Sequence, residues 1–212
     1  PLYLLTPPFF DKLVVKQQFI FGVFFGLVLG LILYNLMLYL TILDKSYLYY
    51  VLYNTCILGL YLFMHGLSFQ FFWPSNTWLA NHSGVFFSGC TIFWSLKFTR
   101  AFLDIDKLKP GHILGYRVIS VLSVLVIFVS FLPDVALATK LAIPLLALGL
   151  IFTAYSATSS LLNGFRPARF YLIAFAVLIL SGVINVFNRF GYLPTNFITE
   201  YGTIWGTSLE VT

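Results

Sequence analysis

The sequence predicts an all-α integral membrane protein: a seven-helix bundle with an extracytoplasmic amino end, a cytoplasmic carboxyl end and a truncated seventh helix. Three observations carry this. The 212 residues are 60% hydrophobic and only 9% charged, too little polar surface to coat a soluble globule of this size. Residues 19–42 and 47–69 contain no Asp, Glu, Lys or Arg, and ~20 apolar residues rising ~1.5 Å each cross a ~30 Å hydrocarbon core. Only Leu43 to Ser46 separate these two runs, so the helices must lie antiparallel and side by side. The lipid bilayer is therefore the first partner. The net charge of +5 marks cytoplasmic loops, and no nucleic acid is expected to bind.

Taken in order, residues 1–18 are expected to be an extended tail of an extracytoplasmic domain, because Pro7-Pro8 argue against a continuous helix. The chain starts at Pro1 without Met and stops at Thr212 inside an apolar run, so it is read as a segment of a longer protein. The first span, 19–42, places Gly22, Gly26 and Gly30 on one face, a ridge that lets another backbone approach closely. Such a ridge serves either packing within the bundle, the reading preferred here, or a homodimer seam. Asn35 and Asn54 fall at similar depth on either side of the Asp44 corner, and a hydrogen bond between them is expected.

The second span, 47–69, leads into the charge-free stretch Phe69 to Gly84, where Trp73 and Trp78 are expected to anchor an interfacial loop. The third span, 85–103, ends in Lys97 and Arg100, whose stems can snorkel to the headgroups. Spans follow at 113–132, 135–162 with Pro144 inside, and 169–188, with Arg166 and Arg169 as further interfacial anchors. The last, 197–212, carries Gly202 and Gly206 at close-packing spacing. Glu210 lies ~15 Å beyond Glu200, near mid-membrane, where an ionisable residue is a functional candidate. Cys56 and Cys90, counted from the span ends, fall ~8 Å apart in depth, so no disulfide is expected.

Orientation follows from the cations. With the amino end outside, Lys45, Lys97, Arg100, Lys107, Lys109, Arg117, Arg166 and Arg169 lie inside, against Lys12, Lys16, Lys140 and Arg189 outside.

The sequence holds no His-Glu-x-x-His, no Gly-x-Ser-x-Gly, no phosphate-cradling glycine loop and no close carboxylate pair. Ser83 and Gly84 beside His82 lack a base on another span, so an intramembrane serine protease is set aside. No lysine in the last span could hold retinal. No catalytic, cofactor or metal residues are assigned, and no cofactor is expected. Tyr34, Tyr53 and His65, with the aromatic outer loop, could line a ligand site, but name no chemical class. A small transporter or channel is the alternative reading, and a membrane enzyme the third.

Several stretches together carry a resemblance: Gly30-Leu31-Ile32-Leu33-Tyr34-Asn35-Leu36 with Asp44-Lys45-Ser46 and Tyr47-Leu48-Tyr49-Tyr50; Phe69-Gln70-Phe71-Phe72-Trp73-Pro74; Phe98-Thr99-Arg100-Ala101-Phe102-Leu103; Arg166-Pro167-Ala168-Arg169; and Leu193-Pro194-Thr195-Asn196-Phe197 running to Glu200-Tyr201 and Leu209-Glu210-Val211. From about Phe19 to Thr212 the chain resembles the membrane domain of the bacterial seven-transmembrane receptors with diverse intracellular signalling modules. The resemblance implies a receptor of the bacterial inner membrane. An extracytoplasmic sensor domain upstream, or the bundle itself, would take the ligand. The last helix would pass the change to a cytoplasmic histidine kinase, cyclic-di-GMP enzyme or phosphatase downstream. Residue patterns alone reach a seven-span bundle; signalling comes from the resemblance.

Overall fold

The computed structural model describes residues 7–103 and 110–189. Over that range the elements are helices: α1 (Pro7–Ile42), α2 (Lys45–Met64), α3 (Leu67–Phe71), α4 (Thr77–Phe102), α5 (Pro110–Val129), α6 (Val135–Leu162) and α7 (Ala168–Arg189). Among the described residues four stretches are long and apolar enough to cross a membrane: Gln18–Ile42, Lys45–Met64, Gly111–Val129 and Val135–Leu162.

The hairpin that opens the chain forms as the short corner requires. Leu43 takes a left-handed φ of 58° and Asp44 caps α2, its Oδ1 accepting from the Ser46 amide at 2.8 Å. Asn76 and Asp134 cap α4 and α6 in the same way, accepting from the Leu79 and Leu137 amides at 3.1 and 3.0 Å. Gly66 ends the turn after α2 at a φ of 71°, where a side chain would be strained.

Four spans differ from the sequence expectation, the fourth by running as Pro110–Val129 rather than 113–132. Residues 7–18 are helical rather than extended, because Pro7 and Pro8 sit in the first turn, where backbone N–H groups have no helical acceptor anyway. The second span stops at Met64, and Leu67–Phe71 forms a separate short helix. The third begins at Thr77 rather than Val85, so the second half of the expected outer loop is the start of α4. That stretch is polar enough to pass for a loop, yet His82, Ser83 and Gly84 are buried against neighbouring helices. The fifth and sixth boundaries lie close to expectation, with α6 running through Pro144. Residues 197–212, with Gly202, Gly206 and Glu210, lie outside the described residues.

Helix α4 is the hub. It packs on α2, α5 and α6, while α1 packs on α2 and α7 on α6. Yet α4 is absent from the four apolar stretches, because it carries buried His82, Ser83, Ser88, Thr91 and Thr99. At 26 residues it is ~39 Å long, enough to reach across a bilayer. Ser88 and Thr91 are satisfied within the helix, donating to the Gly84 and Phe87 carbonyls, both at 2.7 Å, whereas the buried Ser83 hydroxyl has no partner among the described residues. Shielded by three neighbours, the central helix has no need to be the most hydrophobic one.

Glycines bring α2 and α4 together reciprocally. The Phe87 ring fills the space above Gly59, where an added Cβ would meet it at 2.5 Å, and the Phe63 ring fills the space above Gly84. Gly115 receives Phe152 similarly between α5 and α6. The small residues of membrane helices act here as sockets for aromatic rings.

Candidate functional site

Side-chain contacts from α4 to other elements lie near both of its ends. At its amino end, the His82 ring lies with Nδ1 2.7 Å from the Trp78 carbonyl and Nε2 3.0 Å from the Leu132 carbonyl. The second contact ties α4 to the link between α5 and α6. A neutral imidazole donates to one of these carbonyls at a time, so the tautomer decides which contact is a hydrogen bond. Trp78 stacks on His82 at 4.4 Å and on Phe131 at 6.0 Å, and Phe131 meets Phe86 edge-on at 5.8 Å. Trp78 is thus part of a packed aromatic junction as well as an exposed interfacial ring.

At the carboxyl end, Thr99 is fully buried and its Oγ1 lies 2.9 Å from the Tyr171 hydroxyl on α7. Thr99 also donates to the Ser95 carbonyl at 2.8 Å, so its proton is committed to its own helix and the tyrosine hydroxyl supplies the donor across the gap. Phe98 and Phe102 pack against Tyr171 at 6.5 and 6.1 Å, and Tyr171 stacks on Phe175 at 5.6 Å. Ser160 of α6 donates to the Leu103 carbonyl at 3.3 Å, closing the same end. His112 on α5 lies 3.4 Å from the Ser159 hydroxyl and stacks on Tyr155.

The sequence-predicted residues fall into this frame unevenly. Asn54 is fully buried, but it donates to the Tyr50 carbonyl at 3.1 Å, and Asn35 donates to the Leu31 carbonyl at 2.9 Å. The expected bond between them is not made: each amide reaches the carbonyl one turn back, the nearest acceptor available. Asn54 Oδ1 is buried without a partner. The ridge of Gly22, Gly26 and Gly30 does not pack within the described bundle, since an added Cβ there meets nothing within 4 Å. Instead α1 turns Phe21, Phe24 and Val28 onto Leu58 and Tyr61 of α2, because these side chains bury far more apolar surface than glycines do.

Cys56 and Cys90, expected at different depths, have thiols within hydrogen-bonding reach of each other. Counted from Lys45, at the Asp44 corner, and from Phe102, beside Leu103, they lie at nearly the same depth along α2 and α4. Trp73 is half-buried with its indole N–H unpartnered, Lys97 lies 5.5 Å over the Phe93 ring, and Arg169 lies 4.7 Å over Phe170. Arg166 is exposed beside Pro167, and Arg100 is half-buried at the end of α4. Tyr34 is exposed, Tyr53 is buried and His65 packs on Phe21 at 4.2 Å, so these three do not converge on one cavity. Among the described residues no group of three or more His, Cys, Asp or Glu could hold a metal ion.

Sequence reasoning missed His82 as a junction, and it missed Thr99, Tyr171, Gly59 and Gly84. The one available signal was the concentration of Ser, Thr, His and Gly within a single span, Thr77–Phe102.

An all-helical chain with several membrane-crossing helices around a polar central one defines a multi-pass membrane protein. A family model described as 7TM diverse intracellular signalling matches residues 17–212, and the chain belongs to that family. No curated protein and no solved structure matches the chain.

Proposed function

We propose that this chain is the transmembrane relay of a receptor in the bacterial inner membrane. It carries an extracytoplasmic stimulus to a cytoplasmic effector, a histidine kinase, cyclic-di-GMP enzyme or phosphatase, attached beyond the carboxyl end. It performs no catalysis itself. The orientation is amino end outside and carboxyl end inside, supported by the excess of Lys and Arg in the loops assigned to the cytoplasm.

One observation supports the relay most directly: α4 touches α2, α5 and α6 and carries a side-chain contact to another element near each end. His82 and Thr99 lie ~25 Å apart along that helix at ~1.5 Å per residue, most of the ~30 Å hydrocarbon core. A helix shift of ~1–2 Å at the His82 junction is thereby delivered to Tyr171 and α7, the last described helix before the carboxyl end. The ligand drives the shift only through different affinity for the two arrangements.

The test uses the full-length receptor with its effector output as readout. His82→Ala and Thr99→Val are made singly and together. The relay predicts that their effects on ligand-dependent output are coupled, and strict additivity would sink it. Reporter fusions after Asp44, Gly111, Asn163 and Thr212 check the orientation, and all four should report cytoplasm.

A further inference from the structure

A cleft of about 380 Å³ runs between α4 and α5. Its size falls within the ~300–1,000 Å³ range of small-molecule sites. On the α5 side it is lined by Arg117, Ser120, Val121, Val124, Leu125 and Phe128. These positions recur at three- and four-residue intervals and form one stripe of the helix. On the α4 side stand Phe93, Leu96, Lys97 and Arg100. Because α4 ends where α5 begins, Lys97, Arg100 and Arg117 all lie at the same end of the cleft, and the rest of its length is apolar apart from Ser120 and Tyr116.

Charge and length together select the occupant. Lys97 and Arg117 have no carboxylate partner among the described residues, and Lys97 is held half-buried over the Phe93 ring. Val121, Leu125 and Phe128 are more than half exposed, so the apolar wall opens sideways to the surroundings of the bundle. From Arg117 to Phe128 the wall runs ~16 Å along α5, close to the ~15 Å of hydrocarbon in one leaflet. A free phosphate would use only the charged end, and an uncharged lipid only the wall.

We propose that the α4–α5 cleft binds one anionic phospholipid, its phosphate between Lys97 and Arg117 and an acyl chain along Val121, Val124, Leu125 and Phe128. The site depends on the chain lying in a bilayer and is independent of its relay role. Ser120, one turn deeper than Arg117, lines the cleft at the depth of the lipid's ester linkage. The lipid cements α4 to α5 on a face where the protein leaves a gap.

The test is a titration of the detergent-purified full-length chain by native mass spectrometry, with phosphatidylglycerol, phosphatidylcholine of the same acyl chains, and glycerol phosphate as separate arms. Each cation beside an anionic headgroup contributes roughly fivefold in affinity, so Lys97 and Arg117 predict a preference for phosphatidylglycerol over phosphatidylcholine of roughly 30-fold. Lys97→Gln and Arg117→Gln should each remove roughly fivefold of it, and the double variant should erase it. Lys140→Gln, on an exposed part of α6, should leave it intact. Equal binding of the two lipids by the unmodified chain overturns the site, as does a preference that survives the double substitution. If glycerol phosphate displaces phosphatidylglycerol at equal concentration, the site recognises a soluble anion and the lipid assignment fails. Should the double variant not fold, the single variants and the comparison of lipids on the unmodified chain still decide the question.

Discussion

Replacing Gly59 or Gly84 with alanine should loosen the α2–α4 contact on which the bundle is built. At Gly59 the new Cβ would sit 2.5–2.7 Å from three atoms of the Phe87 ring, and at Gly84 it would strike the Phe63 ring. Carbon atoms prefer ~3.5–4.0 Å, so each ring must move by about 1 Å or the helices must part. Overpacking of this kind costs ~1–3 kcal/mol, whereas alanine for glycine inside a helix returns ~1 kcal/mol. The balance is a loss of up to ~2 kcal/mol per site. The measurement is reversible unfolding of the purified chain in mixed micelles, following loss of helical signal. Gly59→Ala should lower stability, and Gly59→Ala with Phe87→Leu should recover most of the loss, because the smaller side chain vacates the space the methyl enters. If Gly59→Ala proves as stable as the unmodified chain, and the pair no better, the ring does not occupy that socket and the reciprocal lock is wrong.

Three further outcomes follow from the same packing. Gly26→Ala should be neutral or stabilising by up to ~1 kcal/mol in the isolated chain, because nothing described lies within 4 Å of the added methyl; destabilisation in the same unfolding assay would mean another surface covers the ridge. Asn35→Leu and Asn54→Leu should have additive effects, since each amide bonds within its own helix; coupling above ~0.5 kcal/mol in a double-mutant cycle would restore the bond across the hairpin. Mild thiol oxidation of isolated membranes should join Cys56 to Cys90 within one chain, detected as protection of both thiols from a maleimide mass tag, and substitution of either cysteine by serine should leave the other fully taggable.

Much of the fold was legible because the bilayer imposes simple rules on sequence. A run without charges, long enough to cross hydrocarbon, must be helical so that every backbone polar group is satisfied. That rule identified the spans of α1 and α2; α5 and α6 followed as apolar runs interrupted by one cation each, Arg117 and Lys140; and the composition of the Asp44 corner dictated the hairpin between the first two. Apolar length also gave the extent of α6 at Val135–Leu162 despite Lys140 and Pro144. The rule fails where a helix is shielded from lipid by its neighbours. The amino-terminal turns of α4 read from sequence as part of the charge-free interfacial loop around Trp73 and Trp78, and the burial of His82 and Ser83 depends on surfaces supplied by other helices.

The candidate site was less legible for the same reason. A glycine at regular spacing announces that a close approach is sterically allowed, not that a partner is there. Gly22, Gly26 and Gly30 have the spacing and are open among the described residues, whereas Gly59 and Gly84 have no regular spacing and hold aromatic rings. Matching asparagines by depth failed because the amide of each could reach a carbonyl one turn back at no conformational cost.

By itself the sequence determined that the chain lives in a bilayer, where its longest apolar helices run and that the first two are antiparallel, since these depend only on local composition and link length. The tertiary structure alone decided that α4 is the hub, that His82 and Thr99 meet partners in other elements, and that Lys97 and Arg117 share one cleft. Those relations join residues far apart in the chain, and they exist only once helices of different sequence have been brought to the same depth and face.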